Sequence, residues 1–167
     1  MVALILDSLS PFAGYVRLHV AGDFYSQDYF DAWLEVARRR PRTLFYGYTK
    51  SLKYWIRRKD QVPSNFLLTA SYGGKHDRLI AEHALRYAKV VFSEAEAAAL
   101  GLELDHDDSH AMNAGPSFAL LLHGTQPAGT EAARAVAALR AQGEYGYGEK
   151  ADQIRRERER LPLAVVN

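Results

Sequence analysis

The 167-residue sequence contains no cysteine. That absence excludes disulfides, thiolate zinc sites, cysteine nucleophiles and cysteine-ligated iron–sulfur clusters, and it suits a reducing cytoplasm. No apolar run approaches the roughly 18 residues that a membrane-spanning helix needs. No basic region precedes the apolar start at residues 1–9, so the pattern of a signal peptide is not met. Neither charge dominates either: 21 Lys and Arg stand against 20 Asp and Glu, a formal net charge of +1. A dedicated polyanion binder usually carries a large basic excess, so only local basic patches are left to attract an anion.

What is present is ordinary for a globular chain, with 48% apolar and 25% charged residues and enough length for one sizeable core. Strand-like and helix-like patterns alternate. Residues 4–9 read as the end of a helix. Val16-Arg17-Leu18-His19-Val20 alternates as a strand, with Arg17 and His19 on the face opposite the apolar residues. Ser26 is placed to cap a helix whose apolar stripe is Phe30, Trp33, Leu34 and Ala37; Arg38, Arg39 and Arg40 suit its negative end. Further strands are expected at residues 43–49, 65–71, 89–92 and 117–123, and further helices at 51–59, 77–87, 94–100 and 130–142. The expected fold is therefore α/β: repeated strand–helix units in a mostly parallel open sheet or a partial barrel of the TIM type. Residues 1–148 would form one domain, and residues 149–167 a charged helical tail with opposite charges at helical spacing.

Ligands of parallel α/β folds bind beyond the carboxyl ends of the strands. Those ends carry Asp23 and Tyr25, then Thr49 and Lys50, then the loop Gly73-Gly74-Lys75-His76-Asp77, and lastly His123, Thr125 and Gln126. Such a rim would receive an anion through its lysines and through backbone N–H groups at Gly73 and Gly74, although the full phosphate-loop spacing is missing. Turn and capping duties explain several of these residues equally well. Arg17 and His19 would either line a barrel interior or sit on the wet face of an edge strand. Tyr46 and Tyr48 share one strand face and suit core filling more than base stacking. His106, Asp108 and His110 give metal-ligand types at close spacing, yet the segment reads as a polar loop with no third strong ligand fixed by spacing. No nucleophile-elbow motif supports a hydrolase triad.

The run from Val16 to Tyr25, the helix containing Tyr29 and Trp33, Phe45-Tyr46-Gly47-Tyr48-Thr49-Lys50-Ser51, and the Gly73-Gly74-Lys75 loop together resemble the mycobacteriophage gene-product-88-like family. The resemblance covers most of residues 14–145, including Asp108-Ser109-His110-Ala111 and the segment 118–129. It implies a phage-encoded protein in the host cytoplasm and brings no settled activity with it. It also implies a distant likeness to radical-SAM enzymes, whose Cys-bearing segment this sequence lacks; residues 1–9 would then be a remnant of what preceded the first motif.

Three functional expectations follow. The first is a cluster-free accessory protein without a cofactor, using the rim to bind a host protein, a small anionic ligand or nucleic acid, with no membrane association and an oligomeric state left open. The second is an enzyme acting on a nucleotide or nucleic acid, with His19, Asp23, Lys50, Lys75, His76, Asp77 and His123 as candidate catalytic groups and Arg17, Tyr25, Tyr48, Thr49, Gly73, Gly74, Thr125 and Gln126 as candidate contacts. The third is a divalent-metal version built on His106, Asp108 and His110.

Overall fold

The computed structural model describes residues 1–122 and 128–141, so His123, Thr125, Gln126 and the charged tail lie outside the described residues. Six strands and six helices follow along the described residues, alternating except at β5 and β6: α1 (Val2–Ser8), β1 (Tyr15–Leu18), α2 (Gln27–Arg39), β2 (Leu44–Thr49), α3 (Leu52–Ile56), β3 (Phe66–Ser71), α4 (Arg78–Glu82), β4 (Tyr87–Val91), α5 (Glu94–Ala99), β5 (Glu103–Leu104), β6 (Phe118–Leu121) and α6 (Glu131–Ala141). A short 3₁₀ turn, Lys59–Gln61, follows α3. The protein is thus α/β, and its sheet is parallel and open, as the alternation of elements predicts. Among the described residues no helix is long and apolar enough to cross a membrane.

The chain forms two compact units. In the first, residues 1–88 with 110–117, β1, β2, β3 and the start of β4 lie in that order, with Val16 beside Phe45 and Phe45 beside Phe66. Leu18, Phe45, Phe66, Leu68 and Ala70 project from one face. The first four pack with Phe30, Leu34, Val36 and Ala37 of α2, and α1 adds Val2, Ile5 and Leu6. Ala70 packs with Leu52 of α3 and Ile80 of α4. All four helices of this unit therefore pack on the same sheet face. Two polar clamps fix the layer. The Asn65 side-chain amide donates to the carbonyls of Ala37, Arg40 and Thr43 at 3.0, 3.1 and 2.9 Å, closing the turn from α2 into β2. Arg58 grips Asp31 of α2 with two bonds of 3.0 and 2.7 Å, holding that carboxyl below its usual range against partial desolvation.

In the second unit the later residues of β4 lead to β6 and then β5, and Val91, Ala97, Ala119 and Leu121 form its core. The Ser93 hydroxyl caps α5 by accepting from the Glu96 N–H at 3.1 Å, and Gly101 ends the helix with φ of +66°.

Four boundaries differ from the sequence pattern. The first strand ends at Leu18 because His19 takes φ of +56°, which breaks the side-chain alternation. The helix expected at residues 51–59 ends at Ile56, with the 3₁₀ turn after it in place of continued α-helix. The expected 77–87 helix stops at Glu82. There the Leu85 N–H bonds the Ile80 carbonyl at 2.8 Å, the Ala84 N–H bonds that of Ala81 at 3.2 Å, and Ala84 sits at φ of +48°. This is a Schellman stop built on alanine, closed by the apolar contact of Leu85 with Ile80. The freed residues start β4 at Tyr87. Lastly, β5 is a two-residue strand where no strand was expected.

Candidate functional site

The carboxyl ends of β1, β2 and β3 meet at a rim in the first unit, and two carboxylates organise it. One oxygen of Asp23 accepts from the Phe24 N–H and the Thr49 hydroxyl, both at 2.7 Å; the other accepts from the Lys50 N–H at 2.7 Å. Asp23 thereby ties the loop after β1 to the end of β2, where Thr49 is buried. The Ser51 hydroxyl completes the tie by donating to the Phe24 carbonyl at 2.6 Å. Asp77 does the same for the next loop, accepting from the N–H groups of Gly73 and Gly74 at 2.8 Å each. The two glycines are there for space as well as for turn geometry. Gly73 has φ of +94°, and a Cβ on Gly74 would stand 3.1 Å from the Lys50 Cβ, so the Lys50 stem lies directly along this loop.

Between these loops is a cavity of about 300 Å³ lined by Phe24, Lys50, Ser51, Lys53, Tyr54, Lys75 and His76. Three lysines converge on it, and none forms an ion pair with a carboxylate among the described residues. Partial desolvation, with the positive charge of Lys53, Arg78 and Lys75, holds the His76 imidazole below its usual range. The neighbouring Asp23 and Asp77 carboxylates are both occupied with backbone N–H groups. What remains facing the cavity is cationic and suited to a compact anion.

The structure thus gathers Lys50, Lys75 and His76 of the predicted rim, positioned by Asp23, Thr49, Gly73, Gly74 and Asp77. Lys53 and Tyr54 join them from α3 without having been singled out by their sequence positions. They stand two and three residues beyond the strand-end motif, and only the orientation of a short helix brings them back to the rim. Arg17 and Tyr48 pair elsewhere, the guanidinium lying 5.7 Å from the ring centroid, and neither lines the cavity. Tyr46 is buried, as core filling requires. Among the described residues no three His, Cys, Asp or Glu side chains come together as a metal site would need. Around Asp105 to Ser109 the polar groups serve the turn: the buried Asp105 carboxylate accepts from the Asp107 N–H at 3.2 Å, and Asp107 from the Ser109 N–H at 3.1 Å.

The placement of His19 corrects the expectation that it shares a face with Arg17. With φ of +56° its ring turns to the helix side, packing 4.5 Å from Phe24, 5.6 Å from Tyr29 and 6.4 Å from Trp33, and its Nε2 pairs with the Tyr29 hydroxyl at 3.2 Å. Desolvation lowers its pKa, partly opposed by the Asp23 charge. A folded pKa below the unfolded one means that the unfolded chain binds more protons in between. The stability from the neutral ring is therefore complete above about pH 6.5 and lost as pH falls through that value toward the folded one. Melting temperatures of the wild type should accordingly drop more steeply from neutral to mildly acidic pH than those of His19→Asn, whose asparagine tolerates positive φ. Parallel curves would show that the ring titrates without coupling to folding.

A larger cavity of about 470 Å³ opens at the opposite edge of the same unit, between Phe12, Arg39, Arg40 and Arg42. Its arginines follow the negative C-terminal end of α2. Arg39 is paired with Glu35 at 2.7 Å, and Arg40 donates to the Ser10 carbonyl at 3.3 Å. It lies away from the carboxyl ends of the strands, and two of its arginines, Arg39 and Arg40, hold contacts of the fold.

Fold and rim together define a parallel α/β protein with a cationic cavity at the carboxyl edge of its strands. The family described as Gene product 88 matches residues 1–141, and the chain belongs to that phage protein family. No curated protein and no solved structure matches it.

Proposed function

We propose that this phage protein binds a small anionic ligand of the phosphate class in the Lys50–Lys53–Lys75–His76 cavity. The observation that carries this reading is the convergence of three lysines, none ion-paired among the described residues, on a cavity whose nearby carboxylates are already committed to backbone N–H groups. Bringing like charges together without direct ion pairs opposes folding, so an anion seated among them gains from a field that the protein has already assembled. The site lies where parallel sheets hold their ligands, beyond the strand ends. Asp23 and Asp77 act as positioning groups, holding the loops that present Lys50 and Lys75. The neutral form of His76 adds a hydrogen-bonding group without adding charge.

Titration calorimetry with pyrophosphate tests the proposal. Saturable binding should weaken with added salt, since part of the attraction is screened. Lys50→Gln, Lys53→Gln and Lys75→Gln should each lower affinity about tenfold or more, the range expected for losing a charge-assisted contact. Arg57→Gln, which removes an exposed charge outside the lining, should leave affinity near that of the wild type. No saturable binding, or lysine variants that match the wild type, would refute the assignment.

A further inference from the structure

We infer that the anion held in this cavity is the phosphate of a nucleotide whose base stacks on Tyr25; the inference rests on the phosphate-site reading above. Tyr25 is 68% exposed, although it follows Phe24, which is buried and lines the cavity. Exposure of a single aromatic ring needs no explanation in itself. This ring, however, is held in place. It stacks on Tyr29 with centroids 4.5 Å apart and planes inclined by 17°. Tyr29 is fixed in turn by His19, by an edge contact with Trp33 at 6.3 Å and by its position in the first turn of α2.

The backbone beside the ring is anchored on both sides. The Tyr54 hydroxyl donates to the Tyr25 carbonyl at 3.1 Å, and the Ser26 hydroxyl accepts from the Tyr29 N–H at 3.1 Å. Tyr54 also lines the cavity, so one side chain links the lysine-lined space to the backbone that carries the exposed ring. A fixed aromatic surface next to a cationic recess is how proteins hold nucleotides without reading their sequence: the phosphate meets the cations and the base meets the ring. A preorganised ring loses little conformational freedom on binding, which favours a stacking role over that of a mobile surface tyrosine. The volume agrees. About 300 Å³ is at the small end for ligand sites, enough for a phosphate and part of a sugar, leaving a base to lie outside against Tyr25.

Binding of thymidine 5′-phosphate, inorganic phosphate and thymidine to the full chain separates the two layers of the argument. Thymidine 5′-phosphate should bind about tenfold or more tighter than inorganic phosphate, a ratio within the range of one base–aromatic stack. Tyr25→Ala should remove that advantage and leave phosphate affinity unchanged, whereas Tyr25→Phe should keep it. Lys50→Gln should weaken both ligands.

Equal affinity for thymidine 5′-phosphate and phosphate, or a Tyr25→Ala variant that keeps the full advantage, overturns the base site while the phosphate site stands. Failure of both ligands to bind overturns the phosphate reading itself. A melting curve of Tyr25→Ala matching the wild type establishes that any loss is local. The chemistry has two sources, a free nucleotide or one residue of a single strand, and oligothymidylate distinguishes them. Tighter binding of the oligomer with a steeper salt dependence assigns the site to a strand, and weaker binding assigns it to a free nucleotide; both results support a base-and-phosphate site.

Discussion

Phe30→Ala is expected to destabilise the first unit by about 3–5 kcal/mol, the usual cost of deleting a fully buried phenylalanine side chain. Phe30 has no exposed surface, and its ring meets those of Phe24 at 4.8 Å and Phe66 at 6.3 Å, so it joins α2, the rim loop and β3 at one point. The loss includes both the transfer free energy of the ring and the cavity left among neighbours that relax only in part. Against the 5–15 kcal/mol typical of a folded domain, such a change is large. Phe30→Leu keeps most of the volume and should cost about 1.5 kcal/mol or less. Both tryptophans of the chain, Trp33 and Trp55, pack against this core, so urea unfolding followed by tryptophan fluorescence reports on it. A shift below about 1 kcal/mol for the alanine variant would mean that α2 does not pack on the sheet as described.

The same ring has a consequence for the site. Phe24 lines the cavity and its carbonyl anchors Ser51, so loosening Phe24 should also weaken pyrophosphate binding, even though Phe30 does not line the cavity. The core and the rim are therefore coupled through one edge-on aromatic contact.

Much of this arrangement is legible in the residues. Ser26, Asp28 and the stripe from Phe30 to Ala37 announce α2, and the cap is found where they place it. Lys50 was readable as a rim group because it directly follows a strand pattern, and Lys75 and His76 because they belong to the glycine loop that leaves the next strand; parallel strands send their ends to one edge. Other features depend on backbone states that residue types do not reveal. Alanine is the best helix former, so nothing in Ala84 signals a left-handed stop; the stop is imposed by the burial of Leu85 against Ile80. His19 continues an alternating pattern on paper, yet its positive φ carries it to the other face, where an aromatic cluster receives it. Asp23 and Asp77 have the residue type expected of an acid or base, and only their hydrogen bonds show that they hold loops. Lys53 and Tyr54 were missed because membership of the rim depends on how α3 is oriented. The Arg58–Asp31 clamp, from the segment just after α3 to α2, helps to set that orientation, and it joins residues 27 positions apart.

Removing the charge of Asp23 should weaken anion binding, although simple electrostatics predicts the reverse. In Asp23→Asn the site becomes more positive, and a nearby anion would bind more tightly if charge alone mattered. The carboxylate accepts three hydrogen bonds, from Phe24 N–H, the Thr49 hydroxyl and Lys50 N–H, each at 2.7 Å. An asparagine has one acceptor oxygen, so its amide nitrogen must face a donor, and at least one of these bonds is replaced by a donor–donor contact. The variant should lose about 2–4 kcal/mol of stability, since bonds to a charged group and a buried hydroxyl are both affected. With the clamp opened, the backbone at Lys50 is no longer fixed, and pyrophosphate affinity should fall by about tenfold in line with the loss of one well-placed charged contact. Measuring both quantities on one variant separates position from charge. Lower stability with lower affinity identifies Asp23 as the residue that sets the geometry of the rim. Unchanged stability with higher affinity would reduce it to a neighbouring negative charge, and the cavity would then owe its shape to other contacts.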